Sequence, residues 1–357
     1  MDNTETHPER RMPSRTSIMV AAARAFGSRE PDETVRNPDT LADQLIGDEE
    51  LALITGHPLS TGLKQDYHEA SQNYAIAGLA WMMLIRTRFI DDALVRAVQN
   101  GASQIVLLGA GFDTRAHRFR DLLKHCRVIE VDTAHTQNHK RRRIASVIDD
   151  EPPNLTYVTI DFTTHDLGNA LRTAGLRQDE KTFYIWEGVI MYLPVESIRK
   201  TLGILLALSA PGSSVVLDYF NTLGIEYMLS APAGAGGGDP SGWGEPWLFG
   251  APAPDGAEFF RELGFDPGQP LSVYNQELIK RYTIGKDGVG YGANVFEKTR
   301  AAAIEARTRA AAEPDTPAKL ALIHLQKAIA EAGGTYWLAE LTVPGSDSRS
   351  RIAVPLR

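Results

Sequence analysis

Up to about residue 100 the apolar positions recur at helical spacing; beyond it, short apolar runs alternate with longer mixed stretches. Residues 14–27, SRTSIMVAAARAFG, predict an alanine-rich helix with Ser14 or Thr16 as N-cap and Gly27 as its stop. Residues 40–54 and 68–99 predict two more. In the second, Ile76, Leu79, Met83, Ile90, Leu94 and Val98 mark an apolar face and Asn100-Gly101 ends it. Strands follow near 104–109, 127–131, 155–160, 182–187 and 213–219, separated by segments long enough for helices. Crossovers of that length join parallel strands, so the pattern predicts an α/β fold with a doubly wound, mostly parallel sheet. Residues 230–256 break the alternation with glycines, prolines and two tryptophans, Trp243 and Trp247, and are expected to form a lid over a site. A helix capped at Thr316, with Pro317 in its first turn and Gly333 past its end, leads to a last strand in TYWLAELTVP.

A disordered leader is expected at residues 1–13 and a single domain over 14–357. Within that domain the pattern separates a helical cap (14–101), a ligand-binding core (102–220), a lid with its helices (221–334) and the last strand (335–345). With 357 residues, 43% of them hydrophobic, the chain buries a large core, which excludes general disorder. A formal net charge of −8 gives no global basic field, so nucleic acid is not an expected partner. The basic run HKRRR at 139–143 falls in a predicted helix and reads as a solvated face. Cys126 is the single cysteine, which fits a reducing cytoplasm. The N-terminus has no apolar signal-peptide core, and no run approaches the ~18–20 apolar residues that span a bilayer, so neither export nor a membrane partner is expected. The histidines show no metal-ligand spacing, so no metal is expected.

The chemistry concentrates at predicted strand ends. IVLLGAGFDTRAHRF, residues 105–119, runs an apolar strand into Gly109-Ala110-Gly111, where missing Cβ atoms let the backbone approach a ligand. A dinucleotide turn wants a third glycine, and here that position is Thr114, preceded by an acid, Asp113. A phosphate loop needs Gly-Lys-Ser/Thr, which is absent. An acid beside the glycines suits a cationic, phosphate-free adenosine ligand: S-adenosylmethionine, with its sulfonium and ammonium. RVIEVD then supplies Glu130 and Asp132, each 21 residues beyond one of the glycines, the spacing at which such folds place an acid on ribose hydroxyls. LTYVTIDF ends in Asp161-Phe162, an acceptor for an adenine amino group beside an apolar wall, and TFYIWEGVIMYL brings Glu187 to the same sheet edge.

LGAGFDTRAHRF, EVD, WEGVIMYL and the upstream RTRFIDD resemble the leucine carboxyl methyltransferase family, and within it the bacterial branch that includes the tetracenomycin carboxyl methyltransferase. The resemblance runs from about residue 14 to 345, and the pair GAGFDTR and WEGVIMYL is specific to that family among class I methyltransferases. It implies a seven-stranded, Rossmann-like sheet, S-adenosylmethionine as cofactor and S-adenosylhomocysteine as its product. By position it implies that Arg86, with Arg88 as the nearby alternative, holds the cofactor's methionine carboxylate, which Arg36 of VRNP also reaches. Gly109 would lie under the cofactor, Asp132 on the ribose, Asp161 and Phe162 at the adenine, and Glu187 at or near the methionine amino group. VRNP departs from the family pattern at Asn37, which stands where an aspartate is expected, and residues 230–256 match only loosely, so the acceptor's identity does not transfer.

Arg86 stands out without the family. An arginine in an apolar helix either binds an anion or finds water or an acid such as Asp91 or Asp92. The implied reaction is methyl transfer to oxygen, on a small-molecule or peptide carboxylate that needs no base, or on a phenol or alcohol that does. For that second case His117 and Tyr192 are the candidate bases, with Trp243 and Trp247 as pocket walls. Two other classes stay open: a nicotinamide oxidoreductase, against which Asp113 and the missing third glycine argue, and a cofactor-binding protein without turnover.

Overall fold

The computed structural model describes residues 12–230, 244–298, 301 and 317–345. Seven strands form one sheet: β1 (Gln104–Leu108), β2 (Arg127–Asp132), β3 (Leu155–Thr159), β4 (Thr182–Trp186), β5 (Ser214–Phe220), β6 (Leu271–Ser272) and β7 (Tyr336–Thr342). Their order is β3-β2-β1-β4-β5-β7-β6. β1 to β5 pair in parallel, while β7 inserts antiparallel between β5 and β6. The helices between the parallel strands make the long crossovers that this pairing needs.

Alternation along the strands splits the core. Val106 and Leu108 join Ile129, Val131, Tyr184, Trp186, Val215 and Leu217 on one face. Ile105 and Leu107 join Val128, Phe183, Ile185 and Val216 on the other, against Ile90, Ala93 and Leu94 of the long helix Tyr74–Gln99. Burial on both faces is why β1 and β4 read as unbroken apolar runs. A separate cluster holds the N-terminal helix, Arg15–Ser28, against the long helix through Ile18, Ala22, Phe26, Ile76, Ala80 and Met83.

Three details differ from the sequence expectations. The segment 40–54 is two short helices, Thr40–Leu45 and Asp48–Leu53, because Ile46 is extended and the Glu50 carboxylate accepts the Gly47 N–H at 2.8 Å to start the second. The segment 68–99 likewise splits: the Asn73 side chain accepts from the N–H groups of Ala75 and Ile76 and starts the long helix there. The basic run in the helix Ala134–Ala145 is only partly solvated. His139 and Lys140 are buried, with His139 Nε2 2.7 Å from Glu50 and Lys140 Nζ 2.7 Å from Glu130. Among the described residues no helix is long and apolar enough to cross a membrane. Trp243, Thr316 and the expected leader up to residue 11 lie outside the described residues.

Candidate active site

β1 lies between β2 and β4, and the chain leaves it toward opposite sides, so a crevice opens at the carboxyl ends of β1 and β4. A cleft of 330 Å³ occupies that place. Its floor is the turn after β1. Gly109 and Gly111 have φ of 66° and 47°, and the N–H groups of Gly109 and Ala110 both donate to Val131 O. A Cβ on Gly109 would sit 2.5 Å from Val189 Cγ2, so glycine is required for conformation and for space. Asp132, at the end of β2, accepts from the N–H groups of Gly111 and Thr133 at 2.5 and 2.6 Å, which ties the two strand ends together beneath the cleft. Burial raises its pKa, and those two N–H groups oppose the rise.

Opposite the glycine turn, Glu187 follows β4. Its two oxygens lie 2.7 Å from Arg86 Nε and 2.6 Å from Arg115 Nη1. Burial alone would raise its pKa, but Arg86 and then Arg115 outweigh burial and hold the carboxyl well below the usual range. Arg115, 3% exposed, also meets Asp91 at 2.7 Å and pairs with Asp113. The acid beside the glycines is therefore neutralised by its own loop. Arg24 lines the cleft from the N-terminal helix, with Nε on Asp39 and Nη2 on Phe112 O, both at 2.8 Å. The far wall is aromatic: Trp247, Phe220 and Tyr336 follow one another with ring centroids 5.0 and 4.8 Å apart. Over the opening, Glu245 accepts the N–H groups of Arg15 and Thr16 at 3.2 and 3.0 Å, joining the described end of the expected lid to the first turn of the N-terminal helix.

Of the residues singled out in the sequence, Arg86, Gly109, Ala110, Gly111, Asp113, Asp132, Phe162, Glu187, Tyr192 and Trp247 all line this one cleft. Five do not. Glu130 sits two residues back from the end of β2, where the helix Ala134–Ala145 covers it. Its carboxylate pairs with Lys140, and burial, partly offset by that lysine, pushes it up to about 7. Asp161 closes its own turn, accepting from Thr163 N–H and Oγ1–H at 2.8 and 2.6 Å. Arg36 donates to the carbonyls of Glu30 and Pro31, and Arg88 to those of Glu33 and Arg36. These loop carbonyls lie outside the cleft and hold both guanidiniums there. His117 is buried away from the cleft, and burial, reinforced by Lys140 and Arg120, pushes it down to about 4.

Sequence reasoning missed Arg24, Arg115, Asp218, Tyr336 and Glu245. Arg24 in AAARAF and Asp218 in VVLDYF carry the signal used for Arg86, a charge inside an apolar run. Tyr336 and Glu245 carry none, since only the folded sheet and its connections bring them to the cleft.

A doubly wound sheet with an antiparallel β7, and a glycine turn facing an acid at the switch point, define the Rossmann-like class I methyltransferases. The family model described as leucine carboxyl methyltransferase matches residues 17–205, more than half the chain. The chain belongs to the leucine carboxyl methyltransferase family, whose cofactor is S-adenosylmethionine. A provisionally named S-adenosyl-L-methionine-dependent methyltransferase of Mycolicibacterium smegmatis is 31% identical over 206 residues, 58% of this chain and 66% of that one. Another, of Frankia alni, is 33% identical over 242 residues, 64% of this chain and 79% of that one. The chain thus spans just under two thirds of the first relative's length. Among solved structures, an O-methyltransferase family protein from Burkholderia thailandensis aligns over 72% of this chain and 80% of that chain, with 14% identity and a TM-score of 0.37.

The residues present fit that cofactor. Gly109 and Gly111 give the turn that floors the cleft its positive φ, Asp132 offers an acceptor for ribose hydroxyls and Phe162 an apolar wall for adenine. Arg24 and Arg86 bring positive charge, and Glu187 negative charge, to the cleft lining, the pair of signs that a zwitterionic ligand end would need.

Proposed function

We propose that the protein is an S-adenosylmethionine-dependent O-methyltransferase whose acceptor is a carboxylate of a small molecule or peptide. The observation that carries this reading is how the cleft's ionisable groups are engaged. Among the described residues no histidine lines it. Glu187 is held by two guanidiniums, Asp132 by two N–H groups and Glu245 by the start of the N-terminal helix. Burial raises the Tyr192 hydroxyl, so it is a poor base. A cleft so occupied suits an acceptor that arrives already ionised, and a carboxylate is ionised at neutral pH.

S-adenosylmethionine, when bound, supplies the methyl group activated on its sulfonium. The chain's part is to bind, align and exclude water. Gly109 and Gly111 shape the floor of the cleft at the end of β1, Trp247 and Phe220 offer an apolar wall, and the segment around Glu245 is tied to the N-terminal helix beside it. Holding nucleophile and methyl group in line contributes on the order of 7–11 kcal/mol toward such a barrier. The test is transfer of isotopically labelled methyl to a panel of carboxylic acids and matched phenols. The reading expects base-labile methyl esters from the acids; label appearing only on phenols, as alkali-stable ethers, would overturn it.

A further inference from the structure

Asp218 is wholly buried on β5 and does not reach the cleft surface, yet its carboxylate touches three residues that do. Oδ1 accepts the Gly188 N–H at 2.6 Å. Oδ2 accepts Arg86 Nη1–H at 3.2 Å and the Tyr336 hydroxyl, whose oxygen in turn accepts from Arg86 Nη1 at 2.9 Å. These partners arrive from the long helix, from the turn after β4 and from β7. Gly188 has φ of 68° and lies under the Arg86 guanidinium, where a Cβ would meet Nη1 at 3.5 Å. Arg86 Nε then holds Glu187 at 2.7 Å.

We propose that Asp218, with Tyr336, is the positioning residue of the cleft's charged wall: it fixes the Arg86 guanidinium and the Gly188 turn, and through them the Glu187 carboxylate that faces the amino-acid end of the cofactor. A buried carboxylate is an expensive way to hold a sheet together, and an apolar residue of similar volume often serves as well. What this carboxylate offers is an acceptor on both oxygens. Asparagine has the same shape but one acceptor and one NH₂, so either Gly188 N–H or the Arg86 and Tyr336 side faces a donor instead. The loss is then local to the wall proposed to receive the amino-acid end, whereas Asp132 keeps its own bonds to the Gly111 and Thr133 N–H groups.

The inference rests on the reading that the cleft takes S-adenosylmethionine, and the test separates the two. Wild-type protein, Asp218→Asn and Tyr336→Phe are titrated calorimetrically with S-adenosylhomocysteine and with 5′-methylthioadenosine, which keeps the adenosine and thioether but lacks the amino-acid end. Asp218→Asn is expected to weaken S-adenosylhomocysteine about tenfold or more while 5′-methylthioadenosine changes little. Tyr336→Phe should give the same selectivity with a smaller loss, and it bears the test alone if Asp218→Asn does not fold. A residue that only held the fold would weaken both ligands in parallel; that result, or no loss at all, overturns the inference alone. Failure of the wild type to bind either ligand overturns the cofactor reading and this inference with it.

Discussion

Asp132 and Glu130 sit two residues apart on one strand face, and their fates show how finely position decides chemistry. Asp132 is at the strand end, bonded to the glycine turn and open to the cleft; Glu130 is roofed by a helix and paired with Lys140. Asp132→Ala leaves the Gly111 N–H without its acceptor, at a cost of about 1–3 kcal/mol, and removes the candidate ribose partner. We expect S-adenosylhomocysteine affinity to fall about tenfold or more by calorimetry. The paired replacement Glu130→Leu with Lys140→Met exchanges a buried ion pair for apolar contact. It should leave that affinity unchanged and shift the thermal midpoint by little, since such exchanges are often neutral or stabilising; weakened binding would return Glu130 to the site. Glu187 is held below the usual carboxylate range and His117 is pushed down to about 4, so neither changes charge near neutrality. Glu130, pushed up to about 7, titrates in that range but is paired with Lys140 outside the cleft, so the rate of carboxylate methylation should be flat between about pH 6 and 8.5, whereas a base acting on a phenol would give a rising limb.

Elements deliver these residues, and their legibility in the sequence varied with how local their causes are. The strands at 104–108, 127–132, 155–159, 182–186 and 214–220 were readable because apolar runs bounded by turn residues are a property of each segment alone. The glycine turn was readable for the same reason. The breaks at Ile46 and Asn73 were not, since they depend on Glu50 and Asn73 side chains bonding nearby backbone N–H groups within otherwise helical patterns. β6, two residues long, carries no periodic signal at all. Asp161 looked like a strand-end ligand, but its own turn used the carboxylate first. Glu245 makes a prediction at this scale: its carboxylate holds the N–H groups of Arg15 and Thr16 at the start of a helix whose side chains line the cleft. Glu245→Ala should cost about 0.5–2 kcal/mol, as loss of a helix cap does, and the amides of Arg15 and Thr16 should exchange hydrogen faster. Unchanged exchange would mean that the covering segment does not hold that helix.

At the scale of the whole molecule the fold brings distant sequence to one place. Arg24, Arg86, Arg115, Glu187, Asp218, Glu245 and Tyr336 span most of the chain, yet they line or support a single cleft. That convergence is why the four strand-end stretches pointed to a crevice from the sequence, and why the charge network behind it did not show there. A ligand that binds only the folded chain stabilises it by mass action, about 2.7 kcal/mol at a hundredfold excess over its Kd. If the site is read correctly, this crevice takes S-adenosylmethionine and not a dinucleotide. The most direct test is calorimetric titration of the wild-type protein with S-adenosylhomocysteine, with NADH as control. Saturable one-to-one binding of S-adenosylhomocysteine and no heat from NADH are expected; binding of NADH, or silence from S-adenosylhomocysteine, would rule the cofactor assignment out.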